Sequence, residues 1–409
     1  MKATIRTAAA LSAVALLAAC GSATKSPSAS SSSSSTASAP SSSSSTAATA
    51  LLAAACGSSS TSSAGGSSSP SSSPSSSPTA STAGKFLGCM VTDTGGIDDR
   101  SFNASSWQGM QEAAKANPNI TVKYLQSTSS NDYTPNINAF IQQKCGIIVT
   151  VGFLMGDNTE TAAKANPSQK FAIVDYTYSP AISNIDALVF NTVQDGFLGG
   201  YLAAGMTKTG KVATYGGEKL PTVTIYMDGF WDGVQYYNSQ HHTNVAVLGW
   251  NEKTQDGSFT GNFTSQADGQ TLTNTFISEG ADIIFPVAGN VGLGTAKAVQ
   301  NADAQAGSDK VNMMWVDTDG CISAPQYCKY FITSVTKGIQ AAVKNAVLSA
   351  ASNTFKGGNY IGDLANDGVV LSPFHDFASK VPAKLQSELA TIKTQIENGT
   401  IKPATKSPV

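Results

Sequence analysis

From Lys85 onward, apolar residues recur in two alternating rhythms. Short continuous runs end in polar or glycine residues: FLGCMVTD, GIIVTVG, FAIVD and LVFN in one series, then KVATYGG, VAVLGW, DIIFPVAG, MMWVD and YFITSV in a second. Runs this short and this apolar fit strands covered on both faces. Between them lie segments with helical spacing. Trp107, Met110 and Ala114 share one helix face, and Ile137, Phe140 and Ile141 another. The segment TPNINAFIQQK predicts a helix with Thr134 as cap and Pro135 at its first position. VQDGFLGGYLAAGMTK predicts a further helix, and an amphipathic one spans about Ala383 to Ile396.

Strands alternating with helices in two consecutive series predict an α/β protein of two lobes, each a doubly wound, mainly parallel sheet with right-handed crossovers. The reading assigns lobe 1 to residues 85–208 plus returning C-terminal segments, and lobe 2 to residues 209–335. A body of about 325 residues exceeds what one core usually holds. Ligands of open parallel sheets sit beyond the carboxyl ends of the strands. The loops there are DTGGIDDRSFN, GFLMGD, DYTYSP, GGEKLP, AGNVGLG and DTDG, which would line one cleft between the lobes.

The stretch before Lys85 differs in kind. Lys2 and Arg6 precede an apolar run too short to span a bilayer, which ends in LAAC at Cys20. This resembles a bacterial lipobox, with residues 1–20 as signal peptide and Cys20 as the lipidated residue. A second copy, LLAAACGSSS, surrounds Cys56 but lacks a basic region before it. Residues 21–84 are almost wholly Ser, Ala, Thr, Pro and Gly, with Lys25 the only charge. Such a composition predicts a disordered tether with a root-mean-square span of about 45 Å. The expectation is an exported protein held on the outer face of the cell membrane by an N-terminal lipid.

Three basic residues and no acidic ones precede Lys85, which leaves the body 22 basic and 27 acidic residues and a net charge of −5. No basic stripe for nucleic acid is present. Cys321 and Cys328 are close enough to staple a loop. Cys89 and Cys145 fall in runs expected to share a sheet, either as a disulfide or as buried thiols. No cysteine or histidine spacing is that of a zinc site. The glycines of AGNVGLGTAK lack both dinucleotide and Walker A spacing. Asp98 and Asp99 could serve a hydrolase as paired carboxylates, but their simpler role is to hold the following helix start.

The blocks VTDTGGIDDRSFNASSWQG, VTVGFLMGDNTETAAKANP, GYLAAGMTKTGKVATYGG, GFWDGV, GADIIFPVAGNVGLG, VDTDG and ITSVTKG, taken in order, resemble the basic membrane protein family. These are lipoprotein substrate-binding proteins of ABC transporters, with purine-nucleoside receptors as the best understood type. The resemblance covers residues 86–402 and implies the two-lobed periplasmic-binding-protein type I fold, with no cofactor and no reaction on the ligand. It implies a nucleoside ligand and an ABC permease and ATPase as partners. By position, Asp93 would bond the purine edge, while Phe102 and Phe263 would stack on the base. Gly289 would approach the ribose, and Asp317 and Lys337 would bond its hydroxyls. The segment GWNEKTQDGSFTGNFTS is longer than the pattern, so Phe259 competes with Phe263. A sugar or furanose-like ligand on the same fold is the alternative.

Overall fold

The computed structural model describes residues 85–407. Cys20, Cys56 and the Ser-rich segment lie outside the described residues. Among those described, no helix is long and apolar enough to cross a membrane.

In chain order the first series is β1 (Phe86–Thr92), α1 (Phe102–Ala116), β2 (Ile120–Leu125), α2 (Tyr133–Gln142), β3 (Ile147–Val151), α3 (Gly156–Ala165), β4 (Phe171–Val174) and β5 (Ile185–Phe190). Next come α4 (Val193–Met206), β6 (Lys211–Gly216), α5 (Pro221–His241), β7 (Ala246–Leu248) and a small hairpin of β8 (Trp250–Asn251) and β9 (Asp256–Gly257). The second series continues with α6 (Gln266–Ser278), β10 (Ile283–Val287), α7 (Gly292–Ala306), β11 (Asn312–Asp317), α8 (Gly320–Ser323) and β12 (Phe331–Lys337). The chain ends with α9 (Ile339–Ala351), β13 (Gly358–Gly362), β14 (Val369–Leu371) and α10 (Ala383–Glu397).

One sheet runs β13-β5-β4-β3-β1-β2 and is wholly parallel. The other runs β14-β12-β11-β10-β6-β7 and is parallel except for β14. Both sheets therefore reverse strand order at the same relative place, between β1 and β3 and between β6 and β10. Such a switch point opens a crevice at the carboxyl ends of the strands. The central strands are buried along their whole length, β3 and β10 at every residue, which explains their unbroken apolar runs.

Three details of the fold bear on the sequence reading. First, α4 packs on α5, β12 and β14, so the chain enters the second lobe after β5 rather than near residue 208. The cause is a close helix pair. A Cβ on Gly200 would lie 2.0 Å from the Phe230 carbonyl oxygen, and one on Gly233 would lie 2.0 Å from that of Phe197. Only glycine lets these backbones approach so nearly. Second, α9 returns to pack on α1 in the first lobe, and β13 joins that sheet beside β5. Third, α2 opens at Tyr133, one residue before the expected cap. Asp132 anchors this start by accepting from the Thr128 and Ser129 amides, while the Thr134 hydroxyl accepts from Asn158 Nδ2 at 2.8 Å.

Disulfides join Cys89 to Cys145 and Cys321 to Cys328. The first is buried and ties β1 to the turn before β3.

Candidate functional site

The carboxyl end of β1 delivers Asp93 into the crevice. Its Oδ1 accepts from the Gly95 amide at 3.0 Å and from Asn103 Nδ2 at 2.8 Å. Gly152, past the end of β3, has φ +122, and a Cβ there would lie 2.6 Å from Asp93 Oδ2. Glycine is thus what allows Asp93 to sit against the neighbouring strand end. Burial, reinforced by the charges of Asp175 and Glu218, lifts the Asp93 carboxyl to about 6 despite its hydrogen bonds.

Asp98 and Asp99 part company. Asp98 is exposed. Asp99 is buried, and its carboxylate accepts from the amides of Ser101, Asn103 and Ala104 and from Asn103 Nδ2. It organises the turn into α1, which lacks a side-chain cap of its own. Burial still raises its pKa to about 7. The pair is therefore built as a loop anchor and a surface residue, not as two acids facing one bond.

Phe102 begins α1, and its ring lies 5.3 Å from the Lys337 ammonium at the end of β12. Lys337 is buried and donates to Asp175 Oδ2 at 2.6 Å, with Asp317 Oδ1 at 3.8 Å and the Tyr226 ring at 5.2 Å. Tyr226, on α5, donates to Asp317 Oδ1 at 3.2 Å. Ser101 Oγ lies 2.8 Å from Asp317 Oδ2 and 3.1 Å from the Val316 carbonyl oxygen. Trp315 Nε1 donates to the Arg100 carbonyl at 3.3 Å. Arg100, Ser101, Phe102 and Asp175 belong to the first lobe, while Tyr226, Trp315, Asp317 and Lys337 belong to the second, so these contacts bridge the lobes. Burial raises the Asp175 carboxyl even with Lys337 beside it, and burial among acids lifts the Tyr226 phenol well above its ordinary range. Asp175 and Asp317 have φ of +68 and +66, a sparsely populated region for non-glycine residues. Backbone strain of this kind collects where a side chain must be aimed.

Phe263 reaches the same space from the loop before α6. Asn262 shapes that loop by accepting from the Thr264 and Ser265 amides. The ring seats over Gly217, where a Cβ would be 2.4 Å from it. Phe259 instead packs edge-on to Trp250 at 5.9 Å and against Gly216. Gly289, at φ +53, follows β10 with no atom near the position of a Cβ.

Asp93, Phe102, Phe263, Gly289, Asp317 and Lys337 all line one cavity. Phe259 does not line it. Sequence reasoning missed Asp175, Tyr226, Asn103 and Phe153, which share the lining. Asp175 ends an apolar run just as Asp93 does, and that signal could have found it. Tyr226 sits in the first half of α5, where every residue from Val223 to Phe230 is buried, so no periodicity marks it. The walls combine aromatic faces, fixed carboxylate acceptors and one ammonium already paired with acids. Such a set suits a neutral, flat, hydroxyl-bearing molecule better than a phosphate.

The family model described as ABC transporter substrate-binding protein PnrA-like (Bmp) matches residues 86–409. A CD4+ T-cell-stimulating antigen of Listeria monocytogenes is 33% identical over 329 residues, covering 78% of this chain and 87% of its own. The ABC transporter nucleoside-binding protein BmpA of Lactococcus lactis is 30% identical over 325 residues, covering 76% and 87%. The crystal structure of an ABC transporter solute-binding protein from Aeropyrum pernix K1 superposes with a TM-score of 0.71 at 23% identity, covering 79% of this chain and 94% of that one. That likeness bears on the fold, which is the periplasmic-binding-protein type I arrangement of two doubly wound lobes. The chain belongs to the Bmp family of PnrA-like ABC transporter substrate-binding proteins.

Proposed function

We propose that this protein captures a nucleoside, with a purine base, between its two lobes and hands it to an ABC permease driven by an ATPase. The observation that carries this reading is the convergence of one aromatic ring from each lobe, Phe102 and Phe263, on a single cavity with acceptors at its edges. Two rings sandwich the base, and each stack contributes on the order of 1–3 kcal/mol. Asp93 accepts from an N–H on the base edge. Gly289 brings its backbone to the ribose, and Asp317 and Lys337 exchange hydrogen bonds with its hydroxyls. Because the lining comes from both lobes, ligand favours the state in which they meet, which is hinge closure by differential binding. No bond in the ligand changes. A lipid on Cys20 holds the body to the outer face of the membrane, with residues 21–84 as the tether.

Thermal-shift screening tests the ligand class. Inosine, guanosine or adenosine should raise the midpoint while ribose and other free sugars leave it unchanged. Stabilisation by ribose with none by any nucleoside would show the cavity to be a sugar site.

Asp93→Asn should weaken nucleoside binding roughly 10- to 100-fold, the span expected for a hydrogen bond to a charged group. Its folded pKa lies above the unfolded value, so the carboxylate opposes folding at neutral pH, and the variant should keep or raise its thermal midpoint. An edge N–H bonds the ionised acceptor more strongly than the neutral acid, so the wild-type Kd should be flat above about pH 7. It should rise toward tenfold per pH unit below about 6, and Asp93→Asn should flatten that limb. Calorimetry across pH 5–8 would refute the role if the variant kept both the affinity and the profile.

Cys20→Ala should move the protein from the membrane fraction to the medium. Release by Cys56→Ala instead, with Cys20→Ala still anchored, would assign processing to the second copy.

A further inference from the structure

Beyond the cleft, the second lobe gathers a set of metal-ligating side chains that the ligand site does not use. Asp319, at the start of α8, accepts from the Cys321 amide through Oδ1 at 3.0 Å, and its Oδ2 lies 2.7 Å from His375 Nε2. His375 comes from the turn after β14 and holds a left-handed backbone, φ +41. Ligand atoms of Asp319, Cys321 and His375 all lie within 4.8 Å of one another. Cys328 completes the group through its disulfide to Cys321, with the two Cα atoms 4.5 Å apart. None of these four residues lines the cavity of Asp93 and Lys337. The linear spacing carries no zinc motif because the fold brings the histidine in from a separate segment.

We propose that Asp319, Cys321, Cys328 and His375 form a redox-gated site for a thiophilic divalent cation, zinc by its donor set. With the disulfide closed, neither sulfur is a thiolate and the site is switched off. A dithiol opens it by exchange. One thiolate of the reductant attacks a sulfur of the pair, the Cys321–Cys328 bond breaks, and the second thiolate closes the reductant into its own disulfide. Two electrons pass to the protein, which gains two thiols. Zinc then displaces one proton from each thiol as it binds.

The geometry suits this cation. Donors on a tetrahedral zinc stand roughly 3.3–3.8 Å apart, inside the 4.8 Å that encloses the ligand atoms of Asp319, Cys321 and His375. The Cys321 amide fixes Asp319 Oδ1, a second hydrogen-bonded layer of the kind metal carboxylates use, and the metal takes the place of the proton between Asp319 Oδ2 and His375 Nε2. Two thiolates and an imidazole select against magnesium and calcium, which take oxygen ligands. His375 is exposed and both cysteines are half-buried, so reductant and metal can reach them.

The test uses the purified protein, oxidised or reduced with dithiothreitol and desalted under nitrogen, titrated with Co²⁺ and then Zn²⁺. Reduced protein should take up one equivalent of cobalt. It should show the visible bands of a tetrahedral ion and a thiolate-to-cobalt charge-transfer band, and one equivalent of zinc should abolish both. Oxidised protein should bind at least ~100-fold more weakly, because it offers no thiolate. His375→Ala should weaken binding tenfold or more while leaving nucleoside affinity unchanged. Cys321→Ser with Cys328→Ser should remove the charge-transfer band, which separates this pair from the buried Cys89–Cys145. No cobalt spectrum in the reduced protein, or a spectrum unchanged in His375→Ala or in the double serine variant, would overturn the proposal.

Discussion

The ion pair between Lys337 and Asp175 is the constraint on which the site turns. Its atoms are 2.6 Å apart and its side chains almost wholly buried, yet its halves come from different lobes. A buried charge without a partner is strongly destabilising, while a paired one roughly offsets its own desolvation. Each lobe therefore carries a group whose compensation lies in the other. Ser101 on Asp317 and Trp315 on the Arg100 carbonyl add neutral bridges around it. The arrangement links the meeting of the lobes to the completion of one polar floor, with Tyr226 and Asp317 tied into the same network. A ligand hydroxyl that joins this floor exchanges hydrogen bonds with groups already oriented and needs no new charge.

The rest of the cavity follows from strand ends. Both sheets reverse order at equivalent places, so both crevices open toward the same space. Acids at strand ends hold carboxylates in partly desolvated positions, where burial raises Asp93 and Asp175 above the usual carboxylate range. These groups oppose folding at neutral pH, a pattern common at sites kept for binding rather than stability. In the proposed reading, the same acids set the charge of the guest. Lys337 is already engaged by two carboxylates, so a phosphate would meet net negative walls, whereas a neutral nucleoside brings donors to waiting acceptors.

Much of this was legible in the sequence, and the limits have physical causes. Apolar runs ending in Asp or Gly marked the strands and the ends that line the cavity, because parallel strands buried on both faces leave that signature. Asp99 as a helix anchor was also readable, since the residues after it open a helix. The lobe assignment of α4 was not. That helix is buried nearly all round, so its periodicity names no partner, and only glycine spacing in α4 and α5 hints at their contact. Asp175 showed its strand-end position, but its pairing with a lysine 162 residues away is a tertiary fact. The choice between Phe259 and Phe263 likewise rests on packing, with Phe259 on Trp250 and Phe263 over Gly217.

The central claim is that one ring from each lobe holds a single nucleoside base. Calorimetric titration of inosine into the wild-type protein and into the Phe102→Ala/Phe263→Ala variant tests it most directly. The account predicts one site per chain in the wild type and a loss of affinity in the double variant of roughly 30-fold or more, from two stacks of about 1–3 kcal/mol each. No binding heat with the wild type, or an affinity unchanged when both rings are removed, would contradict it.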